Sequence, residues 1–280
     1  LKNCGPYLDW ISVHEYWDMM PEEHKPATYE ECMAFTDHID HAVDEVRGML
    51  KALKLDGSIR IAFDEWNLRS WHHPNVHTIK QGLEKKDYVL PRDKNDDNST
   101  YTMADAVFSA CFLNAMNRNC DIVGMANFAP VLNTRGCIYS YQDGIVLRST
   151  YHVFDLYVNY LGDTVVDLWK EEASPVMTVR HKAGGTREVD TLDLLATKWS
   201  DREGIAVAAV NKDPVNSQEL VIGLDGSVKD PVIYRLDGTS ENAYNDVDRT
   251  EVQIEKEALN ACEGVLKVTL HPHSVNIIQF

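Results

Sequence analysis

The sequence of 280 residues predicts an α/β region followed by an all-β region, on three observations. Short apolar runs alternate with long helix-period segments through roughly the first 165 residues. Over roughly the last 110, the apolar pattern changes to every second residue. The later runs are separated by Asp-Gly, Lys-Asp-Pro and Asn-Asp clusters, which are turn chemistry. Strands that alternate with helices imply a parallel sheet with helical crossovers, and period-two runs between tight turns imply an antiparallel β-sandwich. The expected division is 1–168 and 169–280. No Gly/Ser linker separates the two parts, so they are expected to pack directly on each other.

Trp10-Ile11-Ser12-Val13-His14 reads as a buried strand, and Thr28 with Glu31 three residues on is a capping box that opens a helix. Ser58 to Asp64 is a second short strand, followed by a polar loop from Lys85 to Ser99. Next comes a wide-faced apolar helix carrying Met103, Val107, Phe108, Cys111, Phe112 and Met116. A strand from Ile122 to Phe128 and an aromatic helix around Tyr151 to Leu161 complete three strand-helix units. In the second part Gly204 to Val210, Glu219 to Ile222 and Pro231 to Leu236 read as strands. Leu266, Val268, Leu270, Val275 and Ile277 carry the alternation to the end.

With 44 acidic against 27 basic side chains the formal charge is −17, so the mean field repels nucleic acid and acidic membrane surfaces and favours a neutral substrate. No apolar run reaches the ~18 residues of a membrane span. Six scattered cysteines (Cys4, Cys32, Cys111, Cys120, Cys137 and Cys262) lack the spacing of a zinc site or a disulfide framework and read as reduced, buried thiols.

Working residues of parallel α/β folds project from the carboxyl ends of the strands. Two segments place polar groups there: Ser12-Val13-His14-Glu15-Tyr16-Trp17 and Phe63-Asp64-Glu65-Trp66-Asn67-Leu68-Arg69. A carboxylate that leaves a buried strand between Trp and Asn has no helical face to decorate, which marks Glu65 as a catalytic candidate. Asp64 is its rival and fits a supporting hydrogen-bond role. His14 and Tyr16 also fit ordinary core packing. His38 and His41 lie on a helix with Asp37, Asp40 and Asp44 that reads as a solvated face, and His72, His73 and His77 lack metal-site spacing.

Phe63-Asp64-Glu65-Trp66-Asn67 resembles the nucleophile motif of glycoside hydrolase family 51, the α-L-arabinofuranosidases, on the seventh strand of a (β/α)8 TIM barrel. Ile11-Ser12-Val13-His14-x-Tyr16 resembles that family's sixth strand. Ala104-Asp105-Ala106 with Cys111 and Leu113-Asn114 resembles the helix after the seventh, and Met125-Ala126-Asn127 the eighth strand. The resemblance implies strands six to eight of the barrel followed by a jelly-roll-like β-sandwich. It makes Glu65 the nucleophile, with His14, Tyr16, Trp66, Asn67, Arg69 and Trp71 at the sugar site. It further implies a carbohydrate substrate, a homo-oligomer, an intracellular enzyme, and no metal or other cofactor. Arg69 stands where many members have an aromatic residue, and Pro130 where a polar amide is common, so these positions depart from the family pattern and the resemblance does not fix the sugar preference; Trp71 offers substitute stacking surface.

The family's acid/base glutamate ends the fourth strand, ahead of anything in this chain. Strands one to five and that acid are therefore expected from an N-terminal segment or partner polypeptide. Within the chain Glu15 is the candidate acid, although strand alternation turns it away from His14 and Tyr16. A retaining mechanism needs two carboxyl groups roughly 5–5.5 Å apart, one attacking and one protonating the leaving oxygen. The alternatives are β-xylosidase or endo-glucanase specificity on the same scaffold, or a non-catalytic carbohydrate-binding piece.

Overall fold

The structure, a computed structural model, describes residues 1–17, 27–68, 97–142, 144–180 and 185–280, with Tyr16 and Trp17 described by backbone alone. Strand β1 (Trp10–Trp17) is followed by α1 (Tyr29–Phe35) and α2 (His38–Ala52), then β2 (Arg60–Leu68), α3 (Met103–Arg118) and β3 (Val123–Ala126). A hairpin of β4 (Ile138–Tyr141) and β5 (Gly144–Leu147) leads into α4 (Ser149–Tyr160). β1, β2 and β3 form a parallel sheet in that order. The capping box is present: Glu31 N–H donates to Thr28 Oγ1 and Thr28 N–H to Glu31 Oε2. The single expected helix is two, because Thr36 Oγ1 bonds back to Met33 O and ends the first after two turns.

The second part begins at β6 (Thr164–Val166), a few residues before the expected boundary. It continues through β7 (Val176–Arg180), β8 (Thr186–Asp190), β9 (Leu192–Lys198), β10 (Ile205–Asn211) and β11 (Gln218–Val228). The remaining strands are β12 (Val232–Asp237), β13 (Gln253–Ala258), β14 (Cys262–Leu270) and β15 (Ser274–Gln279). A six-stranded antiparallel sheet runs β13-β12-β15-β10-β9-β6, and β11 pairs with β14 as the facing layer. Leu266, Val268 and Leu270 of β14 meet Val207, Ala209, Ile233 and Ile278 between the two layers. The opposite face of the large sheet, with Ala206, Ala208, Val210, Leu236, Val275 and Ile277, shares one core with Phe108, Phe112 and Phe63. β10 and β15 are thus buried on both faces: β10 runs from Ile205 to Val210 without a polar residue, and β15 buries Ser274 and Asn276 on hydrogen bonds to His271 O and Ala209 O, whereas β14 alternates.

Polar ties cross the same junction. Arg118 on α3 joins Asp40 at 2.9 Å to Asp193 at 2.7 Å, and the buried Lys212 lies 3.5 Å from Asp37. Arg180 of the β7–β8 hairpin reaches Glu31 at 2.6 Å. Asp37 and Asp40 therefore do not belong to a solvated face, since cations on α3 and beyond β10 meet them; His38 and His41 on that helix remain exposed. Met103 and Ala104, the first residues of α3, donate their N–H groups to Ala243 O and Glu241 O of the sandwich at 2.8 and 3.0 Å, which satisfies donors that a helix start leaves open.

Cys32, Cys111 and Cys137 are buried and none of the six cysteines is in a disulfide, but Cys4 and Cys120 are exposed, contrary to the expectation for them. Among the described residues no helix is long and apolar enough to cross a membrane.

Candidate active site at the carboxyl edge of the parallel sheet

Along β1, Ser12 and His14 are exposed while Ile11, Val13 and Glu15 are partly covered, so alternate residues face away from the helices. That open face continues on β2 with Arg60 and on β3 with Gly124. A Cβ at Gly124 would lie 2.6 Å from the ring of Trp10, so a larger residue there displaces that ring. The Arg60 guanidinium stands 5.8 Å from the Trp10 ring and donates to Cys120 O and Val123 O.

The register between β1 and β2 shifts after Val13↔Phe63, so that His14 lies opposite Glu65 and Asp64 is the extra residue. A bulge of this kind sets two consecutive side chains against one partner residue instead of on opposite faces. Both carboxylates reach the same imidazole: Nε2 of His14 is 3.2 Å from Asp64 Oδ1, and Nδ1 is 3.5 Å from Glu65 Oε2. Ser12 Oγ donates to Asp64 Oδ1 at 2.7 Å and fixes that carboxylate from below. The side chains of His14 and Glu65 are 50% and 38% exposed, so the cluster opens outward. An imidazole between two carboxylates donates to both when protonated and to one when neutral. The arrangement presents Glu65 as an oriented oxygen nucleophile or base, with Asp64 held by Ser12 and His14.

The bulge also turns the next residue inward. Trp66 is fully buried and stacks on Phe112 at 4.4 Å, with Phe128 edge-on at 5.2 Å and Phe154 at 6.1 Å. Asn67 is 2% exposed, and its Oδ1 accepts the N–H of Leu68 at 2.8 Å. Trp66 and Asn67, expected to support the sugar pocket, are buried next to Glu65 rather than exposed beside it. Glu15 lies on the other face of β1, where burial raises its pKa, His38 opposes that rise and Glu45 adds to it. It does not join the His14 cluster. β1 brings the Tyr16 backbone opposite Asn67, while Arg69, Trp71, His72, His73 and His77 lie outside the described residues. Asn127 extends the ladder by donating to Phe63 O at 2.7 Å, and both it and Pro130 are exposed beside the site.

Ser12 was missed as a site residue; its place two residues before His14 on one strand face was the available signal. Among the described residues no group of three His, Cys, Asp or Glu side chains is placed to hold a metal ion.

Solved structures place the fold in a class, that of an α/β barrel carrying a β-sandwich. The crystal structure of an alpha-L-arabinofuranosidase from Thermotoga maritima in complex with arabinose covers 100% of this chain and 54% of its own, with a TM-score of 0.77 at 23% identity. The model of the alpha-L-arabinofuranosidase C-terminal domain family matches residues 64–274, and the chain belongs to that family. A probable alpha-L-arabinofuranosidase C of Aspergillus niger is 22% identical over 283 residues, which is 98% of this chain and 50% of the relative. An intracellular exo-alpha-(1->5)-L-arabinofuranosidase of Streptomyces lividans is 24% identical over 287 residues, 100% of this chain and 41% of the relative. The chain spans about half the length of the curated relatives it matches.

Proposed function

We propose that the chain is the carboxyl-terminal part of a retaining α-L-arabinofuranosidase. In this reading it supplies strands six to eight of the barrel together with the β-sandwich, and the polypeptide that completes the barrel supplies the acid/base. Glu65 attacks the anomeric carbon of a terminal arabinofuranosyl residue and forms a glycosyl-enzyme ester, and the acid/base protonates the leaving oxygen and then activates water. His14 and Asp64 orient Glu65, and Trp66 and Asn67 hold it from behind. Tyr16, Arg69 and Trp71 remain the further candidates for binding the sugar. The chemistry needs no metal.

The single observation that carries this reading is the bulge at Asp64, which turns Glu65 outward beside His14 at the carboxyl edge of the sheet. Names of relatives supply the sugar: the matched family and the relatives from Aspergillus niger and Streptomyces lividans are called arabinofuranosidases.

The test is hydrolysis by the protein that carries this chain, assayed on an aryl α-L-arabinofuranoside, an aryl β-xyloside and cellulose. The expected result is turnover of the arabinofuranoside with kcat/KM at least ~100-fold above the xyloside, the scale that a few kcal/mol of differential transition-state binding gives. Preferential xyloside or cellulose turnover moves the specificity elsewhere, and no turnover of any of the three removes the hydrolase reading.

A further inference from the structure

Loops that follow β2 and β3 converge on one buried cation. The strands of the parallel sheet end on one edge, and the helices that follow them begin there: α3 and α4 start side by side, with Ser149 Oγ donating to Thr102 O at 2.6 Å. Arg148, the residue before α4, has no solvent exposure. Its Nε donates to Asn98 Oδ1 at 2.8 Å, at the end of the connection from β2 to α3. One Nη donates to Thr134 O at 2.5 Å and Gly136 O at 2.9 Å, both in the loop that leaves β3 just beyond Asn127. The guanidinium lies between the rings of Tyr101, at 3.7 Å, and Tyr139, at 4.9 Å. Asn98 passes the tether on, since its Nδ2 donates to Tyr141 Oη at 2.7 Å and to Asp246 Oδ1 at 3.0 Å in the sandwich loop whose carbonyls cap α3.

The loop held by Arg148 is strained. Asn133 and Thr134 have φ of 57° and 45°, two consecutive left-handed residues without a glycine. Such backbone costs on the order of 1–3 kcal/mol per residue and persists only where its surroundings fix it, often beside a functional site. Here the fixing contacts are Arg148 on Thr134 O, Asn133 N–H on Ile138 O, and Ser140 N–H on Asn133 Oδ1. A planar fork with several fixed donors serves this purpose; a lysine ammonium on a flexible stem does not reproduce it.

We infer that Arg148 is a positioning residue for the active site: it locks residues 98–102 ahead of α3, the β3–β4 loop and the sandwich loop 240–246 into one preformed rim that orients the arabinofuranoside above Glu65. The inference rests on the hydrolase reading for its substrate and on the geometry alone for the tether.

The test is Arg148→Lys in the protein that carries this chain, with two readouts. Amide hydrogen exchange without substrate is expected to rise in 98–102, 131–137 and 240–246 together, while the interior of α3 keeps its protection. Kinetics on the aryl arabinofuranoside, well below the variant's unfolding midpoint, are expected to show KM raised about tenfold with kcat changed far less. Faster exchange throughout the chain, exchange confined to the turn around Arg148, or loosened loops with unchanged KM each overturn the inference. If the unmodified protein hydrolyses no arabinofuranoside, the hydrolase reading fails, and the exchange readout still decides whether the tether exists.

Discussion

Glu65 and Trp66 are neighbours with opposite fates, one turned toward solvent and the other sealed against Phe112, and the bulge at Asp64 explains both. Trp66 is the mechanical support for the carboxylate. Truncating a fully buried Trp leaves a large cavity, so Trp66→Ala is expected to cost about 3–5 kcal/mol, read from the urea midpoint at unchanged slope. Its Nε1 has no hydrogen-bond partner among the described residues, so Trp66→Phe removes an orphaned donor as well as area and is expected to cost clearly less. A larger loss for Phe than for Ala contradicts the packing role. At this scale the sequence marked Glu65 as the carboxylate that follows the apolar run, although β2 does not end at Asp64 as expected but continues past Glu65 to Leu68. The sequence was not informative about Trp66 or Ser12. A regular alternation places Asp64 and Glu65 on opposite faces, and a one-residue register shift depends on the partner strand, which a linear reading does not contain.

Helix α3 binds the elements together. Buried from Met103 through Met116, it touches β2 through Phe112, α4 through Asn114 and the sandwich through Arg118. Its wide apolar face was legible as a helix, and the two-sided burial of β10 and β15 follows from its position against them. The β4–β5 hairpin and β6 were not legible, since neither has a strong apolar alternation of its own. The first turn of α3 carries Asp105, whose Oδ2 accepts the Thr102 N–H at 2.8 Å while Oδ1 has no partner among the described residues. Burial pushes its pKa up to about 7, against hydrogen bonds from Thr102 that pull it down. In the unfolded chain an aspartate has a pKa of about 3.9, so between these values the folded state holds a proton that the unfolded state has lost. Stability from this group is complete below about pH 4 and falls as pH rises to about 7, by up to about 1.4 kcal/mol per pH unit. Asp105→Asn is expected to flatten that slope in urea midpoints measured from pH 4 to 8. An unchanged slope places the titration elsewhere.

The α/β part and the sandwich share one core, stitched by Arg118, Lys212 and Arg180, and the sandwich caps the helix that backs Glu65. The sequence pointed to direct packing through the missing linker. It could not show that the sandwich loop caps the start of α3, because those contacts run through backbone carbonyls of Glu241 and Ala243 that carry no side-chain signature. Three strands leave Trp10, Ser12, His14 and Arg60 on an open face, and a closed barrel requires further strands over it. The whole account therefore turns on the role of Glu65 in the completed protein. Its most direct measurement is kcat for Glu65→Gln on an aryl arabinofuranoside, together with the variant's unfolding midpoint. The account predicts an unchanged midpoint and turnover reduced by several orders of magnitude. Turnover close to that of the unmodified protein contradicts it.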